Sequence, residues 1–225
     1  MKLIQIFLTL CLPAIVAAQV HRWSNPELGN YRGRYKLPDS VQHKTFRSPS
    51  MDIDVGYCIY FPPGYQESKL RYPVIYMLHG GQGRSDERVF LKMVPDIEKL
   101  RAAGESMPAI YVFVNGGAVS FYNYPAKNSM GEDVVIRELI PHIDKTYRTI
   151  AERSGRGIEG HSGGGRAVAR FVFKFPELFG SAIASCGGYS YEKEIAETGK
   201  SGPLTDVLPV HNTWDRAREY AKTME

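Results

Sequence analysis

The residues most able to do chemistry lie in a glycine-rich turn at positions 160–164, which reads Gly-His-Ser-Gly-Gly. This matches Gly-x-Ser-x-Gly, the nucleophile elbow, in which a tight strand-to-helix turn exposes a strained serine hydroxyl. Glycines beside the serine avoid the collisions that larger side chains would make. The helix that follows directs its free N–H groups and positive dipole end at the same point, which favours a developing oxyanion. Ser162 is therefore predicted to be a nucleophile, and a plain Gly/Ser loop is the alternative.

A second glycine-rich turn, His-Gly-Gly-Gln-Gly at 79–83, follows an apolar run. In folds with this elbow, the loop after that strand supplies one N–H of the oxyanion hole, and the residue after the nucleophile supplies the other. We expect Gly81 and Gly163 to be these donors, with Gln82 as the alternative in the first loop. A phosphate-binding loop is the competing interpretation, but the turn lacks the Gly-Lys-Ser/Thr ending of a nucleotide site.

Neither histidine beside these turns is expected to act as a base. His79 ends a predicted strand and shapes the loop that follows it. His161 occupies the variable position of the elbow. Both side chains are therefore predicted to have packing roles.

Buried strands alternate with amphipathic helices along the chain. Continuous apolar runs such as 73–78 and 109–114 are typical of strands that are covered on both faces. Strands are predicted at 53–61, 73–78, 109–114, 157–159 and 179–185, with a first strand beginning near Thr45, and helices at 85–103, 132–146, 166–173 and 213–224. This alternation predicts an α/β fold with a mostly parallel sheet and helices on both faces.

The first eighteen residues are predicted to be a signal peptide. A positive start, an apolar run at 3–16 and small residues at 16–18 predict cleavage before Gln19. The run is shorter than the roughly 20 residues of a bilayer-spanning helix, so a membrane anchor is the lesser alternative, as is a lipoprotein signal. We expect a secreted or periplasmic protein with an extended N-terminal segment at 19–44 and one folded domain at 45–225.

Composition and charge narrow the functional class. With 43% hydrophobic and 23% charged residues, the 225-residue chain has the make-up of a folded domain, which excludes a disordered or collagen-like protein. The net charge of +4 is not concentrated in a basic run, so nucleic acid is not an expected partner. No Cys/His cluster has zinc spacing. Cys58 and Cys186 are expected to be buried free thiols, with a disulfide as the alternative that export permits.

Six segments carry a resemblance to one known family, namely 56–65, 72–81, 138–144, 147–149, 160–164 and 175–179. In these segments the sequence resembles the putative-esterase family of the α/β-hydrolases, which includes feruloyl esterases, acetylxylan esterases and enterochelin-esterase-like proteins. The resemblance implies an α/β-hydrolase fold and hydrolysis of a small-molecule or polysaccharide ester through a serine acyl-enzyme. It also implies that no metal or organic cofactor takes part.

The acid and the base of the reaction are not evident. In α/β-hydrolases the chain order is Ser, then Asp or Glu, then His, and only 225 − 162 = 63 residues follow Ser162. Asp206 and His211 are the candidates, but they are 211 − 206 = 5 residues apart, whereas the family places its acid and base in separate loops. The alternative is that His211 lies at the start of a helix. We expect the chain to end one or two strands short of the family's domain, with the acid and base beyond residue 225.

The substrate is left open by the sequence. Four tyrosines, namely Tyr122, Tyr124, Tyr189 and Tyr191, follow predicted strands on the side where the site would open. They could stack on a hydroxycinnamate or a sugar, or they could simply line the solvent rim. The first functional hypothesis is a secreted serine esterase acting on feruloyl or acetyl esters of polysaccharides or on siderophore-like esters, with acyl transfer to a sugar as a variant. The second is a catalytically inactive α/β domain that binds a ligand. The oligomeric state is not predicted.

Overall fold

The computed structural model describes residues 23–25, 38–81, 85–117 and 121–187. The predicted signal peptide and the predicted helix at 213–224 lie outside these residues. No helix within the described ranges is both long and apolar enough to cross a membrane.

The described residues contain eight strands, six of them in one sheet. In chain order they are β1 (Val41–Ser48), β2 (Ile53–Tyr60), β3 (Val74–Leu78), β4 (Ile110–Val114), β5 (Asn123–Tyr124), β6 (Ser129–Met130), β7 (Arg156–His161) and β8 (Ser181–Ser185). The large sheet has the order β1-β2-β4-β3-β7-β8, and β5 pairs with β6 separately. Strands β4, β3, β7 and β8 run parallel to one another, while β1 and β2 are antiparallel additions at one edge. The predicted mostly parallel sheet is therefore confirmed.

The helices differ from the predicted spans mainly at prolines. The predicted helix at 85–103 is a 3₁₀ turn (Val89–Met93) followed by α1 (Val94–Ala102), with a proline in the first turn of α1. The predicted helix at 132–146 comprises α2 (Gly131–Asp133), a π-helical segment (Val134–Leu139) and α3 (Ile140–Thr146). Pro141 is the second residue after the π-helical segment, and a proline cannot donate the regular i→i−4 bond within a helix. The helix after the elbow is α4 (Gly163–Lys174).

Apolar side chains from alternate positions of the strands build a core on each face of the sheet. On one face, side chains such as Tyr76 and Leu78 of β3 pack with Val168 and Phe171 of α4. On the other face, Met77 belongs to the smaller cluster that α1 covers. Because successive residues of a strand point to opposite faces, the continuous apolar run of β3 contributes side chains to both clusters. Helices on both faces therefore hold the strand ends that carry the two glycine-rich turns.

Two local features differ from the sequence predictions. Strand β1 begins at Val41, ahead of the predicted domain start at residue 45. Cys58 and Cys186 are free, as expected, but only Cys58 is buried, and Cys186 is exposed. The prediction of a buried Cys186 is therefore wrong: this residue follows β8, which is the edge strand of the sheet among the described residues and is largely exposed. Burial raises the pKa of the Cys58 thiol, so this cysteine is a packing residue and not a nucleophile.

Candidate active site

Ser162 lies at the sharp turn between β7 and α4, as the motif predicts. Its backbone has φ 55° and ψ −115°, in the left-handed half of conformational space that residues other than glycine rarely adopt. The side chain is exposed to solvent. Its carbonyl oxygen accepts the first bond of the helix, from the N–H of Arg166 at 3.0 Å. The turn therefore presents the Ser162 hydroxyl at the carboxyl end of a central strand, directly before the N-terminus of a twelve-residue helix.

Two glycines of the motif are required by close backbone approach. An ideal Cβ on Gly160 would lie 2.5 Å from the carbonyl oxygen of Gly164, and one on Gly164 would lie 2.0 Å from the carbonyl oxygen of Leu78. Neither distance leaves room for a side chain, because the obstructing atoms belong to the backbone. The missing side chains let α4 begin against the end of β3, which brings the elbow next to the other glycine-rich turn.

The turn after β3 passes directly over the nucleophile candidate. An ideal Cβ on Gly80 would lie 2.9 Å from both the Cβ of Ser162 and the carbonyl oxygen of His161. Gly81 adopts φ 81°, a conformation that favours glycine. Gly163 is the first residue of α4, so its N–H is among the first-turn donors that have no acceptor within the helix. The structure thus brings the predicted donor segments together at Ser162, while the alternative donor Gln82 lies outside the described residues.

His79 is buried beneath this turn and has both ring nitrogens in hydrogen bonds. The N–H of Gly116 donates to Nε2 at 3.0 Å, so the proton of a neutral ring is on Nδ1, which lies 3.1 Å from the carbonyl oxygen of Gly80. Its ring also lies 5.1 Å from that of Phe121. These contacts agree with the predicted structural role. His161 differs from the prediction, because its side chain is exposed instead of packed.

A buried carboxylate that the sequence did not identify anchors the far end of the same loop. The Glu87 carboxylate accepts bonds from the backbone N–H of Asn25 at 2.8 Å, from His43 Nε2 at 3.0 Å and from Asn115 Nδ2 at 2.8 Å. Its neighbour Asp86 accepts bonds from the Arg88 side chain and backbone. Burial alone would raise the pKa of Asp86, but the bonds from Arg88 outweigh it and leave the pKa below its usual value. No local motif marks the partners of Glu87, because they come from segments that are distant in the sequence.

Tyr122 is not available to stack on a ligand. It is buried, and the guanidinium carbon of Arg170 lies 3.7 Å from its ring centroid. Arg170 also pairs with the buried carboxylate of Glu132, which in turn accepts a 2.5 Å bond from Lys174 Nζ. Tyr124 is half-buried in β5. The structure therefore supports neither the stacking nor the solvent-rim interpretation for Tyr122, and the two other predicted tyrosines, Tyr189 and Tyr191, lie outside the described residues.

The chain matches a family model described as "Putative esterase" over residues 48–223, which is more than half of its length. It belongs to the putative esterase family. One relative, Esterase Rv1288 of Mycobacterium tuberculosis, is 30% identical to this chain over 154 residues, which cover 67% of this chain and 33% of the relative. An endo-1,4-beta-xylanase/feruloyl esterase of Xylanibacter ruminicola is 31% identical over 166 residues, covering 70% and 23% of the two chains. This esterase-family chain thus spans about a third or less of the length of these relatives.

A solved structure of a ferulic acid esterase has a similar fold. It superposes with a TM-score of 0.60 at 26% identity, covering 65% of this chain and 58% of the other. The likeness confirms the predicted α/β-hydrolase fold for this member of the putative esterase family. The candidate acid and base, Asp206 and His211, lie outside the described residues. Within the described ranges, no group of three or more His, Cys, Asp or Glu side chains is arranged to hold a metal ion.

Proposed function

We propose that this chain is a secreted serine esterase that hydrolyses carboxylic esters through an acyl-Ser162 intermediate. The observation that carries the proposal is the conformation of Ser162: a non-glycine residue at φ 55° between a central strand and a helix N-terminus. Strained backbone of this kind persists where the surrounding structure over-determines it, and it is concentrated at active sites. Membership of the putative esterase family supports the reaction class.

The reaction follows from the positions of three groups. Ser162 Oγ attacks the ester carbonyl carbon and gives up its proton to a base, forming a tetrahedral oxyanion. The backbone N–H groups of Gly81 and Gly163 donate to that oxyanion, and the positive end of α4 stabilises it further. Collapse of the oxyanion expels the alcohol, which takes the proton, and leaves an acyl-serine. Water then attacks the acyl carbon in the same way and releases the carboxylic acid. Transfer of the acyl group to a sugar hydroxyl in place of water is a variant of this second step.

The base that accepts the proton of Ser162 can be identified by mutation of the histidines. Four described histidines have hydrogen-bond partners other than Ser162. His43 bonds to Glu87, His79 to two backbone groups, His142 to Tyr57 OH at 3.1 Å, and His161 to Ser185 Oγ at 3.4 Å. Asp206 and His211, the acid and base candidates that the sequence offers, are the pair to test first. If His211 is the base, His211→Gln lowers turnover to the level of a Ser162 variant while leaving the fold intact. Full activity of His211→Gln assigns the role to another residue.

Feruloyl or acetyl esters of polysaccharides are the proposed substrate class, and siderophore-like esters are the alternative within it. The Xylanibacter ruminicola relative is named an endo-1,4-beta-xylanase/feruloyl esterase, and the solved structure that resembles this chain is a ferulic acid esterase. An exported protein would meet such polymers outside the cell, which agrees with the predicted signal peptide at 1–18.

The test compares the wild-type protein with Ser162→Ala on methyl ferulate and on an aryl acetate. Ser154→Ala is the matched control, because Ser154 is an exposed serine that bonds to Glu152. We expect the wild type and Ser154→Ala to turn over the ester and to be labelled by a fluorophosphonate probe, and Ser162→Ala to do neither. Measurable turnover by Ser162→Ala refutes the assignment. A wild-type chain that is neither active nor labelled supports the alternative, a catalytically inactive ligand-binding domain.

A further inference from the structure

Ser185, the last residue of β8, contacts both ends of the elbow. Its carbonyl oxygen accepts the backbone N–H of Ser162 at 2.9 Å. Its side-chain hydroxyl donates to the carbonyl oxygen of Gly160 at 3.1 Å. A third approach comes from α4, where an ideal Cβ on Gly165 would lie 2.5 Å from the Ser185 carbonyl oxygen. One residue of the neighbouring strand thus bonds to Gly160 and to Ser162 and lies close against the first turn of the helix.

His161 contacts the same hydroxyl. Its Nδ1 atom lies 3.4 Å from Ser185 Oγ. A serine hydroxyl has a single proton, and here that proton goes to the Gly160 carbonyl, which can only accept. Ser185 Oγ must therefore accept from His161, so Nδ1 carries the ring proton in this contact. The exposed His161 side chain completes a chain of two hydrogen bonds that ends on the backbone of the elbow.

These bonds oppose the relaxation of a strained turn. Ser162 has φ 55°, and a non-glycine residue keeps such a conformation only where neighbouring groups impose it. A carbonyl bond from Gly160 and an N–H bond from Ser162, both to one residue, restrict the two peptide planes on either side of His161. The position of the Ser162 hydroxyl depends on those planes.

We propose that Ser185 is a positioning residue for the esterase reaction, and that its hydroxyl, oriented by His161, keeps the elbow in the conformation that aims Ser162 at the ester. The proposal rests on the proposed function of Ser162. Ser185 does not itself contact the reacting atoms. It acts through the backbone of residues 160–162.

Ser185→Ala tests the hydroxyl alone, because the backbone carbonyl that accepts from Ser162 remains. Ser181→Ala is the matched control: the same substitution at the opposite end of β8. We expect Ser185→Ala to lower kcat about threefold to tenfold, the range expected for the net loss of one hydrogen bond. KM should stay unchanged, since substrate binding is not touched. Ser185→Thr, which keeps the hydroxyl, should restore kcat. If Ser185 served only folding, Ser185→Ala would lower the yield of soluble protein while the folded fraction kept the kcat of Ser181→Ala.

His161→Ala and the double variant test the coupling. If His161 acts through the Ser185 hydroxyl, the double variant has the same kcat as Ser185→Ala alone. Independent, multiplicative losses would overturn this part of the proposal.

A second measurement does not depend on catalysis. Amide hydrogen exchange over residues 160–166 should be several-fold faster in Ser185→Ala than in the wild type and unchanged in Ser181→Ala. If the wild type is neither active nor labelled at Ser162, the proposed function fails, and exchange alone decides the role of Ser185. If the wild type is active and Ser185→Ala matches Ser181→Ala in kcat, labelling rate and exchange, the positioning role is refuted while the esterase assignment stands.

Discussion

Replacing Gly80 by alanine should impair the reaction without impairing the fold. The added methyl group would lie 2.9 Å from the Ser162 Cβ and 2.9 Å from the His161 carbonyl oxygen. Both obstructing atoms are fixed by the backbone of the elbow, so neither can rotate away. Gly80 does not have a positive φ, so alanine adds no backbone strain of its own. The clash acts only on the spacing between the turn after β3 and the nucleophile.

The expected loss of rate follows from how far the turn after β3 must move to make room for the new methyl group. Ordinary carbon contacts begin at 3.4 Å, so the turn after β3 must move by at least 3.4 − 2.9 = 0.5 Å away from Ser162. Gly81 belongs to the same turn, so its N–H moves with it. A misplacement of about 1 Å costs on the order of 100-fold in rate, so half of that distance predicts a loss of about tenfold, or about 1.4 kcal/mol in activation free energy.

The assay is kcat/KM on an aryl acetate, together with the rate of fluorophosphonate labelling at Ser162. Gly157→Ala is the matched control, since an ideal Cβ on Gly157 also has its nearest contact at 2.9 Å, but with the Ser181 hydroxyl, which can rotate. We expect Gly157→Ala to keep near-normal activity and both variants to unfold in urea near the wild-type midpoint. Equal kcat/KM for Gly80→Ala and the wild type would refute the placement of this turn over the nucleophile.

Two further predictions concern stability. Glu132→Gln should lower the free energy of unfolding in urea by about 3–5 kcal/mol, because it leaves the buried Arg170 and its neighbour Lys174 without their carboxylate; a change below 1 kcal/mol would contradict this. Burial, and to a lesser extent the charge of Lys145, lowers the pKa of His142 below its usual value, so the folded state favours the neutral ring. That contribution to stability is present above a pH of about 6.5, the unfolded pKa, and is lost as the pH falls through the folded pKa. In His142→Gln the urea midpoint should therefore fall less between pH 7.5 and pH 5 than in the wild type, and an identical fall in both proteins would exclude His142 as the source.

The parts of the fold that could be predicted from sequence are those that depend on a pattern of neighbouring residues. The apolar runs of β3 and β4 identify strands covered on both faces, and the glycines at 160 and 164 identify the elbow because only close backbone approach requires them. Pairings between distant segments leave no such pattern. The partners of Glu87 come from β1, from the N-terminal segment and from the end of β4. Nothing in the sequence around these residues distinguishes them from other polar residues, so their pairing could not be predicted.

Exposure at the sheet edge could not be predicted for the same reason. The pattern of residues 179–185 predicts a strand, but such a pattern does not show whether one or both faces of the strand are buried. Strand β8 follows β7 at the end of the described sheet, so Ile183 is 58% exposed and Cys186 lies in solvent. The error on Cys186 came from treating a local apolar pattern as evidence of burial.

The register of the sheet explains why the site forms where it does. Gly160 pairs with Leu78 of β3 on one side and with Ala184 of β8 on the other. In parallel strands, residues that follow such a pair leave the sheet at the same edge, so Gly80, two residues after Leu78, meets Ser162, two residues after Gly160. On the other side Ser185 pairs with His161, the residue just before Ser162.

The strained turn is therefore placed after a strand that has a parallel neighbour on each side, β3 and β8, and these two neighbours end within one residue of the same level. β3 can then supply the glycine turn that covers Ser162, and β8 can supply the two hydrogen bonds that hold it. An elbow on an edge strand would have only one of these neighbours, and its strain would be opposed from one side alone. The order β3-β7-β8 thus matters to the reaction as directly as the motif does, and a shift of β8 by one residue would separate Ser185 from the elbow without changing any residue of the Gly-x-Ser-x-Gly pattern.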